Sequence, residues 1–322
     1  MKALICDSFG GIDALRLGHL PEPELAPGTA LITVEAATVG FADTLMVAGQ
    51  YQFRPETPFA PGFEIAGTIE ALMGLDDYSV GDRVAAFMWA GGMAEKALAT
   101  SANMIRLPDG IPAEIGATLT GGYGTAYHAL VDRARLQADE SLLVLGAAGG
   151  VGIPAVQLGK ALGASVIGAV SSEEKEQAVR RAGADAVIRY DRTPLRDGIK
   201  TITGGGVDVV FDAVGGEMTE QALRSTNWRG RLLIVGFASG SIPELPVNLS
   251  LVKGNSIVGV FWGRFTTEEP ERSQANNQKI IEMVERGDLT PEIQATFDLE
   301  HARDALQWVA DRKVIGRVIV KP

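Results

Sequence analysis

With 322 residues the chain is long enough for two domains with separate cores. An apolar fraction of 46%, a charged fraction of 21% and no low-complexity tract describe a globular protein. The formal charge of -11 argues against a nucleic-acid partner, although it leaves room for a local basic pocket.

A single cysteine, Cys6, excludes an intrachain disulfide. The run Met1-Lys2-Ala3-Leu4-Ile5-Cys6-Asp7 meets charge too early for a secretory signal, so a cytoplasmic location is expected.

From residue 30 to about residue 99 the chain reads as short strands and turns. Leu31-Ile32-Thr33-Val34-Glu35-Ala36 partly alternates, and Pro27-Gly28, Pro61-Gly62, Gly81-Asp82 and Gly91-Gly92 punctuate the stretch. A β-rich body is expected there. The rhythm changes after Pro112: residues 113–137 read as helix interrupted by Gly121-Gly122, a hinge candidate. Strand and helix patterns then alternate, with strands expected at 141–145, 165–170, 186–190, 207–213, 231–237 and 256–261. Helices between them should begin near Gly150, Glu173, Thr193, Glu217 and Asn248. Such alternation implies parallel strands with right-handed crossovers, hence an α/β fold with a doubly wound sheet. Helices near 278–286 and 299–311 and a closing strand at 316–320 should complete the β-rich body.

The most informative run is Leu145-Gly146-Ala147-Ala148-Gly149-Gly150-Val151-Gly152. It lies between an apolar strand and a helix, where glycines permit a sharp turn and close approach to a ligand. The helix N-terminus behind it offers N–H groups and the positive end of a dipole to a pyrophosphate. Ala147-x-Gly149-x-x-Gly152 is the dinucleotide fingerprint with alanine in its first place. The run from Ser141 to Gly159 carries no charge, but four glycines and Pro154 argue against a membrane span. Pro154 falls in the first helical turn, where a missing N–H costs little.

The chain resembles the zinc-free NADPH:quinone oxidoreductases of the medium-chain dehydrogenase/reductase superfamily over essentially its whole length. The markers are Gly40-Phe41-Ala42-Asp43, Ala48-Gly49-Gln50-Tyr51, Pro61-Gly62-Phe63-Glu64-Ile65-Ala66-Gly67, Val80-Gly81-Asp82-Arg83-Val84, Gly92-Met93-Ala94-Glu95, Gly183-Ala184-Asp185, the glycine-rich run and the closing Gly316-Arg317-Val318-Ile319. The resemblance implies a discontinuous GroES-like catalytic domain, 1–121 with 263–322, and a Rossmann domain, 122–262. It also implies a homodimer or homotetramer. Zinc-dependent relatives place ligands near Phe41 and before Glu64, where this chain has Gly40-Phe41 and Phe63. Its histidines, His19, His128 and His301, are far apart, so no bound metal is expected.

A carboxylate after the second Rossmann strand would favour NAD by binding the ribose 2′-hydroxyl. Here the text is Ala169-Val170-Ser171-Ser172-Glu173-Glu174-Lys175, so NADPH is expected, with Ser171, Ser172, Lys175 and Tyr190 near its extra phosphate by the resemblance. The same letters also read as a helix start, with Ser171 and Glu174 forming a capping box. Further cofactor candidates are Thr125, Ala148, Gly149, Gly150, Val151, Gly152, Gly236, Phe237, Phe261 and Arg317. Phe261 has a subunit contact as its alternative and Arg317 a salt bridge.

The acceptor side is expected among Gly40, Phe41, Tyr51, Phe63, Trp89 and Trp262, an apolar and aromatic set suited to a flat ligand. Tyr51 is the catalytic candidate because its hydroxyl can bind a carbonyl oxygen, with ordinary packing as the alternative. Many relatives have asparagine where this chain has Gly40, which removes a hydrogen-bond donor; Asp43 matches a family position or caps a helix. The expected activity is zinc-independent, NADPH-dependent reduction of quinones or related conjugated carbonyls. Enal or enone reduction is the near alternative, and a non-enzymatic NADPH-binding structural or regulatory role the distant one.

Overall fold

The computed structural model describes all 322 residues. The chain divides into two compact units: Met1–Gly121 with Gly263–Glu285 and Pro291–Pro322, and Gly122–Trp262 with Arg286–Thr290. Residues 286–290, which the sequence reading left with the β-rich body, group with the second unit.

The first unit opens with an antiparallel ribbon, β1 (Lys2–Cys6) and β2 (Leu15–His19). There follow β3 (Thr29–Val39), α1 (Phe41–Val47), β4 (Glu64–Met73), β5 (Arg83–Phe87), β6 (Lys96–Thr100) and β7 (Met104–Arg106). Alternation along these strands buries Ile32, Val34, Ile65, Ile69, Val84 and Met104 in one core.

After α2 (Ala113–Thr118) the sequence reading expected a break at Gly121-Gly122. The structure instead continues through a π-helical turn, Leu119–Tyr123, into α3 (Gly124–Tyr127) and a second π-helical segment, His128–Arg133. The two compact units divide between Gly121 and Gly122, and Gly121 has a steric reason to be there as well. A Cβ on Gly121 would stand 2.4 Å from the Glu64 carboxyl carbon, and the Gly121 N–H donates to Glu64 Oε2 at 2.7 Å.

The second unit alternates β8 (Ser141–Leu145), α4 (Gly152–Ala161), β9 (Ser165–Val170), α5 (Glu173–Arg181), β10 (Ala186–Arg189), α6 (Leu195–Thr203), β11 (Val207–Asp212), α7 (Glu217–Arg224), β12 (Thr226–Ile234), α8 (Asn248–Lys253) and β13 (Ser256–Gly259). All strand pairs are parallel, in the order β10-β9-β8-β11-β12-β13. That is the dinucleotide-binding order, with its switch point between β8 and β11. Helices cover the strands, so Leu143, Leu145, Ile167, Val210 and Leu232 are buried in apolar runs. β12 starts five residues before the expected 231, because its pairing with β11 begins at Val207–Thr226 and shifts register before Val209.

The chain then gives α9 (Trp262–Glu268), α10 (Pro270–Glu285), β14 (Ile293–Asp298), α11 (Ala302–Ala310) and β15 (Arg317–Lys321). The sequence reading missed α9, β14 and the first half of α10. Pro270 sits at the first position of α10, where its fixed φ favours helix initiation. β14 pairs only with β15, as an edge strand, which explains its weak apolar pattern. The first-unit sheet runs β14-β15-β3-β4-β5-β7, with β6 also on β3. Closing strand β15 thus lies antiparallel to β3.

Candidate functional site

In the second unit, the turn after β8 stands at the switch point. Gly146 adopts φ +68°, and a Cβ on Gly152 would meet Gly146 O at 2.2 Å and the Ala147 carbonyl carbon at 2.7 Å. Only glycine lets the helix pack this tightly on the turn. The turn closes itself through Gly149 N–H to Gly146 O, and through Gly152 and Ile153 N–H to Gly149 O. Ala148, Gly150 and Val151 contribute no N–H to those bonds, leaving a cradle of donors at the start of α4. Beside it, buried Asp212 ends β11 and accepts from Val214 N, Gly215 N and the Thr219 hydroxyl, which holds the neighbouring loop. Phe237 packs against Gly215, and Gly236 N–H donates to Asp212 O, so both lie on this same edge. Gly124 leaves room for the Trp262 indole, whose Nε1 would be 2.8 Å from a Cβ there; Thr125 follows it.

The next corner is built by β9 and β10. Ser171 follows the last residue of β9, and Tyr190 N–H donates to Val170 O across the strand ends. Ser172, not Ser171, is the N-cap of α5: its Oγ accepts from Lys175 N at 3.3 Å. The expected Ser171-Glu174 box is therefore shifted by one residue, since 171 still belongs to the exit of β9. The hydroxyl hydrogen of Ser172 remains available to a ligand. The acidic first turn of α5 is opposed by arginines the sequence reading overlooked: Arg192 lies 3.7 Å from Glu173, and Arg189 lies 3.7 Å from Glu176. These pairs reduce the repulsion that Glu173 and Glu176 would exert on a phosphate.

In the first unit, Tyr51, Phe63 and Trp89 come together, joined by Phe87 and Phe53, which sequence reasoning missed. Ring centroids are 5.3 Å apart for Tyr51–Phe63, 6.1 Å for Phe63–Phe87, 5.3 Å for Phe87–Trp89 and 5.2 Å for Phe53–Trp89. β5 is buried along nearly its whole length and shows no alternation that would have singled out Phe87. The Tyr51 hydroxyl makes no hydrogen bond within the chain. Burial, with the nearby Asp43 charge, pushes its pKa up, so it stays a proton-bearing donor at neutral pH. Phe41 begins α1 and joins no ring pair with this row. Trp262 belongs to the second unit, and Phe261, 47% exposed, is on its surface.

Beneath α1 lies a buried charged group of three. Asp43 accepts from Gly40 N at 2.8 Å and Gly62 N at 2.9 Å, while Glu64 pairs with Arg317 Nη2 at 2.8 Å. Burial drives the Asp43 carboxyl up to about 7, opposed by its two N–H donors and by Arg317. Arg317 was expected at the cofactor; the structure realises its salt-bridge alternative inside the first unit. A Cβ on Gly40 would meet Asp43 Oδ2 at 3.5 Å and Arg317 Nη1 at 3.7 Å, ordinary contacts, so the backbone here does not by itself require glycine. No group of three or more His, Cys, Asp or Glu residues is placed to hold a metal ion.

Family models match both parts of the chain: an alcohol dehydrogenase GroES-like domain over residues 26–135 and a zinc-binding dehydrogenase domain over 150–277. A quinone oxidoreductase-like protein 2 homolog of Nematostella vectensis is 38% identical across 99% of this chain and 88% of its own length. The chain belongs to the quinone oxidoreductase-like medium-chain dehydrogenases/reductases. The bovine quinone oxidoreductase-like protein 2 in this family is 35% identical over 93% of the chain and 86% of its own length. Family structures agree as closely in shape. A mycobacterial protein complexed with NADPH superposes with TM-score 0.94 at 30% identity, and Escherichia coli quinone oxidoreductase complexed with NADPH with TM-score 0.92 at 26%, each covering 100% of both chains.

Proposed function

We propose that this protein is an NADPH-dependent oxidoreductase that reduces quinones or related conjugated carbonyls without a metal. The residues fit the cofactor. The glycine-only contact at Gly152 and the donors of Ala148, Gly150 and Val151 suit a pyrophosphate, and Ser171 stands where a carboxylate would repel a 2′-phosphate. Ser172, Lys175 and Tyr190 would hold that phosphate. When bound, NADPH supplies the hydride.

The observation that carries the acceptor assignment is the aromatic row ending at Tyr51, whose hydroxyl has no partner in the chain. Half-buried Trp89 and Tyr51 offer aromatic surface, buried Phe63 and Phe87 hold them in place, and the Tyr51 hydroxyl offers one donor to the oxygen on which charge develops. A quinone or enone spreads that charge over its own π system, so one donor and water suffice. A simple ketone concentrates it on one oxygen and needs a Lewis acid. Without the asparagine donor at Gly40, Tyr51 has the larger share of the work.

The deciding experiment follows NADPH oxidation by purified protein under chelation, with a quinone, an enal, an enone and a simple alkanone, and identifies the products. Turnover of quinones, or of enals or enones reduced at the carbonyl, with almost none of alkanones is expected. Tyr51→Phe should lower kcat/KM by a factor equivalent to about 1–3 kcal/mol and leave NADPH affinity unchanged. Saturated carbonyl products would make the protein an alkene reductase, no turnover would leave NADPH binding alone, and fast alkanone reduction would overturn the acceptor assignment.

A second copy of the chain is the proposed partner, paired along β13. This strand ends the parallel sheet, carries no charge, and is flanked by exposed Trp228, Val247, Leu251, Val252 and Phe261. An apolar edge of this kind invites pairing, and a two-fold axis lets the same strand meet itself antiparallel. No helix is long and apolar enough to cross a membrane.

A further inference from the structure

Helices α6 and α7 pack side by side on the second unit, and their inner faces, with Leu195, Ile199, Ala222 and Leu223, are buried in the core. Between their outer faces opens a cavity of about 560 Å³, lined among others by Arg196, Asp197, Lys200, Gln221, Arg224 and Ser225. Its volume falls in the range of small-molecule sites. Gly205, Arg224 and Ser225, at one end, lead into β11 and β12. They therefore mark the amino edge of the sheet, opposite the edge that carries the glycine-rich turn.

The charges around this cavity are mostly positive. Acids outnumber bases by 40 to 29 in the chain, and several cations of the same unit are paired, among them Lys160 with Asp185, Arg180 with Glu176 and Arg231 with Glu140. Arg196 and Lys200 form no ion pair, although they stand four residues apart on one helix face, where like charges repel. Arg224 adds a third cation, paired with Glu220, and burial, with added repulsion from Arg196, holds the Lys253 pKa down. A chain with surplus carboxylates has left two cations unneutralised around a cavity.

We propose that this cavity is a second, non-catalytic site for a phosphorylated small molecule carrying hydroxyl groups, of nucleotide or sugar-diphosphate size. Arg196, Lys200 and Arg224 take the phosphate oxygens. The Gln221 amide adds a neutral donor, Ser225, whose hydroxyl hydrogen goes to Gln221 O, can accept from a ligand hydroxyl, and Asp197 accepts from another.

The test is calorimetric titration of inorganic pyrophosphate into the full chain saturated with NADPH, which fills the cofactor turn. One binding event is expected, weakened at least about tenfold by Arg196→Gln/Lys200→Gln and unchanged by Lys175→Ala. The double variant should bind NADPH as the parent does, showing that it is folded. The proposal is overturned by three results: no heat with the parent protein, equal binding by the double variant, or loss of the event in Lys175→Ala. Capture by anionic phospholipid vesicles through Arg196 and Lys200, with no pyrophosphate binding, would also overturn it and assign the face to a membrane surface.

Discussion

Asp43 shows how one residue can be legible as a letter and opaque as chemistry. Its place in Gly40-Phe41-Ala42-Asp43 marked it as a helix cap or a family position, and it does close the start of α1 through Gly40 N–H. Its burial and its neighbours Glu64 and Arg317 come from strands far away in sequence. The folded carboxyl titrates near 7, against an ordinary value of 3.8. The fold therefore holds a proton that the unfolded chain has lost, and this group's contribution to stability falls as pH rises from about 4 to about 7. Asp43→Asn removes that titration, although it also loses one of two N–H acceptors and lowers stability overall. Denaturant unfolding at several pH values should show the parent losing up to about 1.4 kcal/mol per pH unit relative to the variant across this window. Parallel curves would mean that Asp43 is ionised throughout. Gly152 is the contrary case, since its necessity follows from local geometry and was readable from the fingerprint.

At the scale of elements, strands and helices of the second unit, β12 apart, fell close to their expected bounds because each is an apolar or amphipathic segment between turn residues. The α5 entrance shows the limit: capping and phosphate binding use the same letters, Ser171-Ser172-Glu173-Glu174-Lys175. The structure separates them, because the cap bond runs from the Lys175 backbone to Ser172 Oγ and does not need the lysine side chain. Lys175→Ala should accordingly keep the helix and lose a charged hydrogen bond to the 2′-phosphate, about 1.5–3 kcal/mol or roughly ten- to hundredfold in NADPH affinity. NADH affinity should hardly change. Calorimetry giving equal losses for both cofactors would remove Lys175 from the phosphate site. α10 and β14 were less legible, one polar on most faces and one an edge strand, so neither carried a clear period.

For the molecule as a whole, the proposed pairing of two copies rests on the outside of β12, α8 and β13. Leu251 is 83% exposed and Trp228 68% exposed, values that a single copy has little reason to keep. Sedimentation should find a dimer at micromolar concentration. Trp228→Glu with Val252→Lys should shift it to monomer while the cofactor turn, which follows β8 in the middle of the sheet, three strands from β13, still binds NADPH. A monomeric parent, or a dimer indifferent to these changes, would rule out the β13 edge.

Sequence alone determined the parallel sheet, the glycine-rich turn, the absent carboxylate after β9 and the family, because each rests on short-range rules of period, sterics and spacing. Tyr51, Phe63 and Trp89 could be named from it, yet their joining through Phe87 needed the pairing of β4 with β5. The tertiary structure alone decided that Arg317 serves Glu64, that Gly121 seats a carboxylate, and that Arg196 and Lys200 stand unpaired around a cavity. Charge pairing and burial depend on which distant segments meet. Local periodicity carries no record of that, since the same letters would read alike with any other neighbour.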